Sequence, residues 1–209
     1  MKNFDKKYFI NDKSILAGTD EAGRGPLAGP VVAAAVILPT DFFDERINDS
    51  KKLSAELRSE LFKVIKKKAL SYSYTIMSHK KIDEINILKA SLLAMKRSVQ
   101  KLSVQPDIVL VDGNKTFDYD AKVIPIVKGD SKSLSIASAS IIAKVVRDRI
   151  MKKLAKDYPR YNWEANKGYP TKEHIDAILK YGVCPLHRKT FLRKIFERAN
   201  QTEIIFEEN

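Results

Sequence analysis

Apolar residues along the chain recur at two spacings, one typical of strands and one typical of helices. Short apolar or alternating runs predict five strands, at residues 14–19, 31–38, 71–78, 107–112 and 122–127. Apolar positions three or four residues apart predict helices at residues 55–70, 82–101, 133–157 and 171–181, and a basic amphipathic segment at 187–200. Polar residues 1–13 predict at most a short lead-in strand. Three strands followed by alternating strands and helices indicate an α/β domain with a mixed sheet.

Single residues refine the ends of these elements. Ser54 is a good helix N-cap, Pro106 prevents the helix before it from continuing, and Gly182 ends the helix at residues 171–181. Pro125 lies inside the fifth strand and predicts an edge position, because proline has no N–H to donate to a neighbouring strand. Small residues on one face of the helix at 133–157 let another backbone pack closely. Periodicity alone does not give the order of the strands.

The net charge of the chain indicates which kind of molecule it binds. The chain has 209 residues with 44% hydrophobic content, which suits one domain or one domain with an extension. Its 38 lysines and arginines exceed its 26 acids, giving a formal net charge of +12. This excess predicts binding to a polyanion, with nucleic acid favoured over a membrane surface. No run of about eighteen apolar residues supports a membrane partner.

The termini and the cysteine content bear on location. The first fourteen residues, MKNFDKKYFINDKS, lack the apolar centre of a signal peptide. Cys184 is the only cysteine, so no internal disulfide can form. Both features fit a reducing cytoplasm, where we expect the protein to act.

Two adjacent carboxylates stand in the most informative stretch, residues 18–30, which reads GTDEAGRGPLAGP. Neighbouring side chains on a regular strand point to opposite faces, so Asp20 and Glu21 can reach one site only where the strand ends or twists. Gly23 stands where such a break is expected. Glycine also lets backbone N–H groups come close to a bound phosphate or sugar.

Two better-known glycine motifs fit this stretch poorly. Gly23, Gly25 and Ala28 satisfy a loose dinucleotide-binding pattern, but that pattern requires a helix directly after the loop. The apolar run VVAAAVIL follows instead, and it predicts a buried strand. A phosphate-cradling P-loop also fails, because no Gly-Lys-Ser/Thr closes the motif.

Two further acids follow predicted strands or precede a predicted helix. Asp112 ends the apolar run DIVLVD, and Asp130 lies in KGDSKS before the helix at 133–157. Taken alone, the motif favours Asp112 as part of an Asp-Gly turn, and Asp130 can be a helix cap. Asp148 is a fifth candidate, but Lys144 stands four residues before it and can pair with it, so we interpret Asp148 as structural.

Four motifs in order resemble the bacterial ribonuclease HII family. They are DEAGRG at 20–25, VDG at 111–113, KGD at 128–130 and AKVVRD at 143–148, and the resemblance runs from residue 14 to the last basic segment. It implies a ribonuclease H-like fold, with a five-stranded mixed sheet flanked by helices and a small C-terminal helical extension. We expect the catalytic domain at residues 14–182, and the basic helical extension with its acidic tail at residues 183–209.

The resemblance also implies the chemistry. Asp20, Glu21, Asp112 and Asp130 correspond to the catalytic acids that bind Mg²⁺ or Mn²⁺. The implied reaction is two-metal hydrolysis of RNA in RNA–DNA hybrids, and of the bond on the 5′ side of a ribonucleotide embedded in duplex DNA. The products carry 3′-hydroxyl and 5′-phosphate ends.

Substrate contacts are implied for a second group of residues. The backbone of Gly23, Arg24 and Gly25 corresponds to the family's sensor of the 2′-hydroxyl. Tyr169 matches a tyrosine at the cleavage junction, and Lys51 matches a lysine near the phosphates; ordinary loop packing remains the alternative for Tyr169.

Other candidates rest on residue type alone. Arg160, Tyr161 and Trp163 form either a stacking platform or ordinary loop packing. His187, Arg188 and Lys189 suggest phosphate contacts on charge only. The histidines are widely spaced in sequence and predict no zinc site.

The competing classes are a non-catalytic nucleic-acid-binding module, a nucleotide-binding oxidoreductase, and a ribonuclease HIII-like enzyme. The four acids argue against a non-catalytic nucleic-acid-binding module, because carboxylates would repel the phosphates of its ligand. A ribonuclease HIII is expected to carry an extra N-terminal domain, whereas about a dozen residues precede the first strand here. We therefore expect a monomeric endoribonuclease of the HII type.

Overall fold

A five-stranded mixed sheet forms the centre of the protein, seen here in a computed structural model that describes residues 1, 3–9, 11, 13–193 and 195–197. The strands are β1 (Leu16–Ala22), β2 (Val31–Ile37), β3 (Ser71–Met77), β4 (Ile108–Asp112) and β5 (Lys122–Ile126). Their order is β3-β2-β1-β4-β5. β2 is antiparallel to β1 and β3, whereas β1, β4 and β5 run parallel. The predicted mixed sheet is confirmed, as is the edge position of the proline-containing β5.

Helices cover both faces of the sheet. They are α1 (Ala55–Lys68), α2 (His79–Ile85), α3 (Ile87–Gln100), α4 (Leu134–Asp157), α5 (Trp163–Asn166) and α6 (Lys172–Tyr181). Short 3-10 turns lie at Asp5–Tyr8, Gly129–Ser131 and Pro159–Tyr161. Among the described helices, none is long and apolar enough to cross a membrane.

The burial of β2 explains its unbroken apolar sequence. Val32, Ala34 and Val36 face α1 and α4, while the alternate residues Ala33 and Ala35 face α3. A strand covered on both faces needs apolar residues at every position instead of an alternating pattern. The alanines keep both helix layers close to the sheet.

α4 packs very closely on β1. A Cβ atom at Gly18 would lie 2.3 Å from the backbone nitrogen of Ile136, so only glycine fits there. The small residues of α4 permit this approach, as the sequence predicts. Its first turn is capped by the Ser133 hydroxyl and by buried Asp5, whose carboxylate accepts hydrogen bonds from the backbone N–H and hydroxyl of Ser135.

Two predicted elements differ from the structure. The single helix expected at residues 82–101 is two helices, because Asn86 adopts a φ of 65° between α2 and α3. Its side chain accepts a hydrogen bond from the N–H of Lys89 and so caps α3. The apolar period continues across the break, which is why the pattern misses it. The N-terminal segment contains a 3-10 turn in place of the suggested strand.

The last basic segment begins against the sheet. His187 forms an isolated antiparallel bridge with Ala28, and residues 189–193 and 195–197 are helical. The remainder of the predicted segment, residues 198–200, and the acidic tail lie outside the described residues.

Candidate active site

Three parallel strands bring the predicted acids to one edge of the sheet. Thr19 of β1 pairs with Val111 of β4, so the next residues, Asp20 and Asp112, emerge side by side. Asp130 follows β5, whose last residue, Ile126, pairs with Asp112. The carboxyl ends of parallel strands are where open α/β sheets place their ligand sites.

Backbone N–H groups and a serine hydroxyl fix two of these carboxylates. Asp112 Oδ1 accepts hydrogen bonds from the N–H of Gly129 at 2.7 Å and, at longer range, of Asp130 at 3.4 Å. The latter bond joins the third and fourth acids directly. Asp20 Oδ1 accepts from the N–H of Glu21 at 2.7 Å, and the Ser140 hydroxyl of α4 also bonds to Asp20. The strand ends and the first turns of α4 therefore set the positions of these side chains.

The negative charges in this cluster are poorly compensated. Asp20 is only 5% exposed, and burial together with the charges of Glu21 and Asp112 holds its pKa well above the ordinary value. Burial likewise raises the pKa of Glu21, although Arg24 at 3.3 Å opposes the shift. Burial, with Asp112 and Asp49, raises the pKa of Asp130. Neighbouring carboxylates that resist ionisation favour the arrival of a cation.

An open cavity of about 670 Å³ adjoins these acids. Its walls include three of the four acids, the predicted substrate-contacting residues and several neighbours: Asp20, Glu21, Asp112, Gly23, Arg24, Gly25, Tyr169, Lys51, Ser50, Arg58, Ser140 and Lys144. Lys51 Nζ lies 3.7 Å from Asp130 Oδ2. The structure thus brings together every residue that the sequence assigned to the site.

Tyr169 borders the same cavity as Asp20, Glu21 and Asp112, and the residue is 37% exposed. The Nζ atom of Lys144 and the guanidinium carbon of Arg147 lie 5.8 and 5.7 Å from the ring centroid. The Cβ position of Gly25 is 3.6 Å from the Tyr169 ring. The tyrosine and the glycine-rich backbone therefore form one continuous surface.

The donor set suits a hard divalent cation. Carboxylate oxygens from Asp20, Glu21, Asp112 and Asp130 are the ligand type that Mg²⁺ and Mn²⁺ prefer. Among the described residues, no three His, Cys, Asp or Glu side chains are gathered so that they could hold a metal ion by themselves. A site that takes some of its ligands from water and a substrate phosphate does not need a closed protein cage. The residues present therefore fit the metal.

Comparison with known proteins decides the family. Residues 17–199 match the family model described as Ribonuclease HII. The chain belongs to the ribonuclease HII family. A curated ribonuclease HII from Caldanaerobacter subterraneus subsp. tengcongensis is 55% identical over 197 residues, covering 94% of this chain and 82% of the relative. One from Acetivibrio thermocellus is 54% identical over 190 residues, covering 91% and 74% respectively.

Solved structures agree with the fold. The crystal structure of the ribonuclease H2 from Pyrococcus horikoshii OT3 matches with a TM-score of 0.73 and 30% identity, covering 88% of this chain and 98% of that one. The expected ribonuclease H-like fold is confirmed. As a ribonuclease HII family member the protein is an endoribonuclease that acts on RNA in RNA–DNA hybrids. The family acts on nucleic acid and depends on divalent metal, in line with the basic charge and the acidic cluster.

Several residues for which the sequence allowed an exposed substrate-binding role are buried. Trp163 and Tyr161 stack on each other in the interior at a centroid distance of 5.4 Å, so they form no platform for bases. His187 and Arg188 are also buried, which contradicts the suggested phosphate contacts. Asp148 pairs with Lys144 at 2.8 Å, as predicted.

His174 and His187, which the sequence gave no reason to connect, are hydrogen-bonded. Their Nε2 atoms are 3.2 Å apart, and Trp163 Nε1 donates to His174 Nε2 at 3.1 Å. His174 Nδ1 donates to the Tyr169 carbonyl at 2.9 Å, and His187 Nδ1 accepts from the Cys184 N–H at 3.0 Å. Both rings are neutral in this pattern, in agreement with burial, which lowers the pKa of each. The network anchors the backbone of Tyr169.

Two fully buried arginines lie behind the glycine-rich loop. Arg147 donates from Nε to Pro30 O at 2.9 Å and from Nη2 to Ala28 O at 3.3 Å. Arg188 donates from Nε to Gly29 O at 3.0 Å, and its Nη atoms bond to carbonyls of Gly23, Arg24 and Pro30. Sequence reasoning missed both roles; the only signal was an arginine in AKVVRD and another in the basic C-terminal segment.

Proposed function

We propose that Asp20, Glu21, Asp112 and Asp130 hold Mg²⁺ or Mn²⁺ and that the protein cuts on the 5′ side of ribonucleotides, both in RNA–DNA hybrids and when embedded singly in duplex DNA. The convergence of four carboxylates from three strand ends beside a wall of accessible backbone carries this proposal. Held by these carboxylates, divalent metal would supply an activated water and stabilise charge on the leaving 3′ oxygen. The products carry 3′-hydroxyl and 5′-phosphate ends.

The chain's own groups orient the substrate. The backbone of Gly23, Arg24 and Gly25 approaches the sugar and senses its 2′-hydroxyl, because glycine leaves the N–H groups accessible. The Tyr169 ring lies against the sugar at the cleaved junction. Lys51 is exposed beside Asp130, where its ammonium group can neutralise a phosphate. Each of these groups borders the same cavity as the acids.

Basic residues continue the binding path beyond the acids. A second cavity of about 400 Å³ shares Arg58 and Lys144 with the first, and Arg149, Lys152 and Lys167 add to its wall. These five cations outnumber the two acids of the same wall, Asp148 and Glu164, and the excess fits the phosphates of a duplex that extends past the cleavage site. We expect the protein to act as a monomer in the cytoplasm, with its catalytic domain at residues 14–182 and its C-terminal extension at residues 183–209.

Cleavage of a labelled duplex that contains one ribonucleotide tests the function. We expect cutting on the 5′ side of the ribonucleotide with Mg²⁺ or Mn²⁺, and none without metal or with an all-deoxy duplex. Asp112→Asn and Asp130→Asn should each lose about 10²-fold or more in turnover while duplex binding persists, because a ligand charge is removed but the shape is kept.

The exposed Asp118 provides a control, since Asp118→Asn removes a charge from a residue that borders neither of the two cavities beside the acids. It should cut like the wild type. Near-normal turnover of Asp130→Asn would exclude that residue from the site, and equal cutting of the all-deoxy duplex would contradict ribonucleotide recognition.

A further inference from the structure

Arg147 and Arg188 are unusual buried charges. Both side chains are 0% exposed, and neither forms an ion pair with an acid among the described residues. Burial lowers the pKa of Arg147 to about 10 and that of Arg188 to about 9, so both remain cations at neutral pH. Isolated buried charges are costly, and here backbone carbonyls compensate them, together with the rings of Tyr169 beside Arg147 and Phe191 beside Arg188. Five carbonyls of residues 23–30 contribute to that compensation.

The bonds of Arg188 fix the direction of two successive peptide groups. Arg188 Nη2 donates to Gly23 O at 2.7 Å, and Nη1 donates to Arg24 O at 2.9 Å. Both peptides are trans, so the N–H of each points opposite to its C=O. The N–H groups of Arg24 and Gly25 therefore both point away from the buried guanidinium and toward the cavity side of the chain.

These two N–H groups are available to a ligand. Within the described part of the chain, no acceptor takes a hydrogen bond from the N–H of Arg24 or of Gly25. Successive N–H groups that point to one side form a concave site for an anion or a hydroxyl oxygen. A guanidinium behind their carbonyls also polarises both peptides in the direction that strengthens the N–H donors.

Arg147 completes the support from the other side. It shares the Pro30 carbonyl with Arg188, and its Nη1 atom is buried without a hydrogen-bond partner. The glycine at position 23 makes this packing feasible, because a Cβ atom there would lie 2.1 Å from Arg147 Nε. The loop and the two guanidiniums therefore fit as one unit.

We propose that Arg188, assisted by Arg147, is a positioning residue that aims the N–H groups of Arg24 and Gly25 at the sugar and phosphate of the ribonucleotide. The inference rests on the proposed function, in which this backbone contacts the substrate. Arg188 itself touches no substrate. The planar guanidinium donates to two adjacent carbonyls at once and so fixes their directions. Lysine keeps the charge but cannot hold both carbonyls in fixed directions.

Discrimination between ribonucleotide and deoxyribonucleotide is the appropriate measurement. Binding of two duplexes that differ by a single 2′-hydroxyl is compared in Ca²⁺, under conditions in which neither is cut. In Arg188→Lys, the ratio of the two affinities should fall about tenfold or more, because an oriented donor in a preorganised site contributes on that scale. Affinity for the all-deoxy duplex should change little. A merely structural role would lower the active fraction and leave the ratio unchanged.

Arg193→Lys is the matched control, because Arg193 lies in the same segment with an 84% exposed side chain that pairs with Glu197. Its ratio should equal that of the wild type. A folded Arg188→Lys with an unchanged ratio would overturn the proposal. If Arg188→Lys does not fold, Arg147→Lys is measured instead, and an unchanged ratio there overturns it equally. If the wild type binds the two duplexes equally well, the proposed function itself is contradicted. That outcome differs from an unchanged ratio in Arg188→Lys, which contradicts only the role of Arg188.

Discussion

Asp20 and Asp112 lie side by side because Thr19 pairs with Val111 where β1 and β4 run parallel. The register of one strand pair thus places two carboxylates next to each other at a buried sheet edge. Among the described residues neither acid has an ion-pair partner, unlike Glu21 with Arg24 and Asp130 with Lys51. The fold accepts an electrostatic cost here that a bound cation would reduce.

This cost leads to a prediction about stability without metal. Burial and the neighbouring Glu21 and Asp112 raise the pKa of Asp20, so its ionised form destabilises the folded state at neutral pH. Asp20→Asn should therefore raise the free energy of unfolding by about 0.5–2 kcal/mol in chelator, while activity is lost. Asparagine can still accept from the Glu21 N–H and bond to Ser140. Denaturant titrations of both proteins measure the difference.

With added metal the wild type should become more stable than Asp20→Asn, because Mg²⁺ or Mn²⁺ stabilises the folded wild type in proportion to its binding. The exposed Asp118→Asn should stay within about 0.5 kcal/mol of the wild type under both conditions. An Asp20→Asn protein that is less stable than the wild type in chelator would show that the carboxylate cluster carries no repulsive cost.

Gly23 and Gly25 should respond differently to alanine. At Gly23, φ is +101° and a Cβ atom would lie 2.1 Å from Arg147 Nε, so Gly23→Ala should cost about 1–3 kcal/mol of stability. At Gly25 the nearest atom is 3.6 Å away in the Tyr169 ring, so stability should change by less than about 0.5 kcal/mol. Gly25→Ala should nevertheless slow cleavage, because the methyl group occupies the wall that the sugar approaches. Thermal unfolding and cleavage rates of the two variants, measured together, test this contrast.

The four acids were assigned from the sequence by their resemblance to the ribonuclease HII motifs, because position alone allowed a turn role for Asp112 and a helix cap for Asp130. The strands themselves follow from local apolar runs, and Pro125 even predicted an edge. The break at Asn86 could not be predicted, since the apolar period continues through it and only a local φ of 65° interrupts the helix. The role of Arg188 could not be predicted either, because it depends on hydrogen bonds to residues 158 to 165 positions away in the sequence. Its charge alone suggested an exposed residue that contacts phosphate.

The histidine pair predicts a loss of stability in mild acid. Burial and nearby His174 lower the pKa of His187 to about 4, against an ordinary value of 6.5, and burial lowers the pKa of His174 as well. As pH falls below 6.5, His187 is protonated in the unfolded chain, whereas in the folded protein it is not protonated until about pH 4. The free energy of unfolding should therefore decline in this window. His187→Gln should show a shallower decline than the wild type.

His79 is half-buried and, among the described residues, forms no hydrogen bond with His174 or His187, so it serves as the control. His79→Gln should keep most of the wild-type slope between pH 6.5 and 4.5, although burial lowers the pKa of His79 to some degree. Identical slopes for His187→Gln and the wild type would mean that His187 titrates normally in the folded protein.

We expect Tyr169 to decide which linkage beside a single ribonucleotide is cut, because sensing of the 2′-hydroxyl by the backbone of residues 23–25 would not by itself select that linkage. The His174 ring holds the Tyr169 carbonyl, and the exposed tyrosine ring faces the cavity. Tyr169→Ala should lose the stacking contact, worth about 1–3 kcal/mol, and cut a one-ribonucleotide duplex about tenfold more slowly or worse. Duplex binding, carried mainly by phosphate contacts, should change little.

Tyr169→Phe is the control, because it keeps the ring and should retain most of the stacking. Wild-type rates for Tyr169→Ala on both this duplex and a long hybrid, with the fold intact, would reduce Tyr169 to a loop-packing residue.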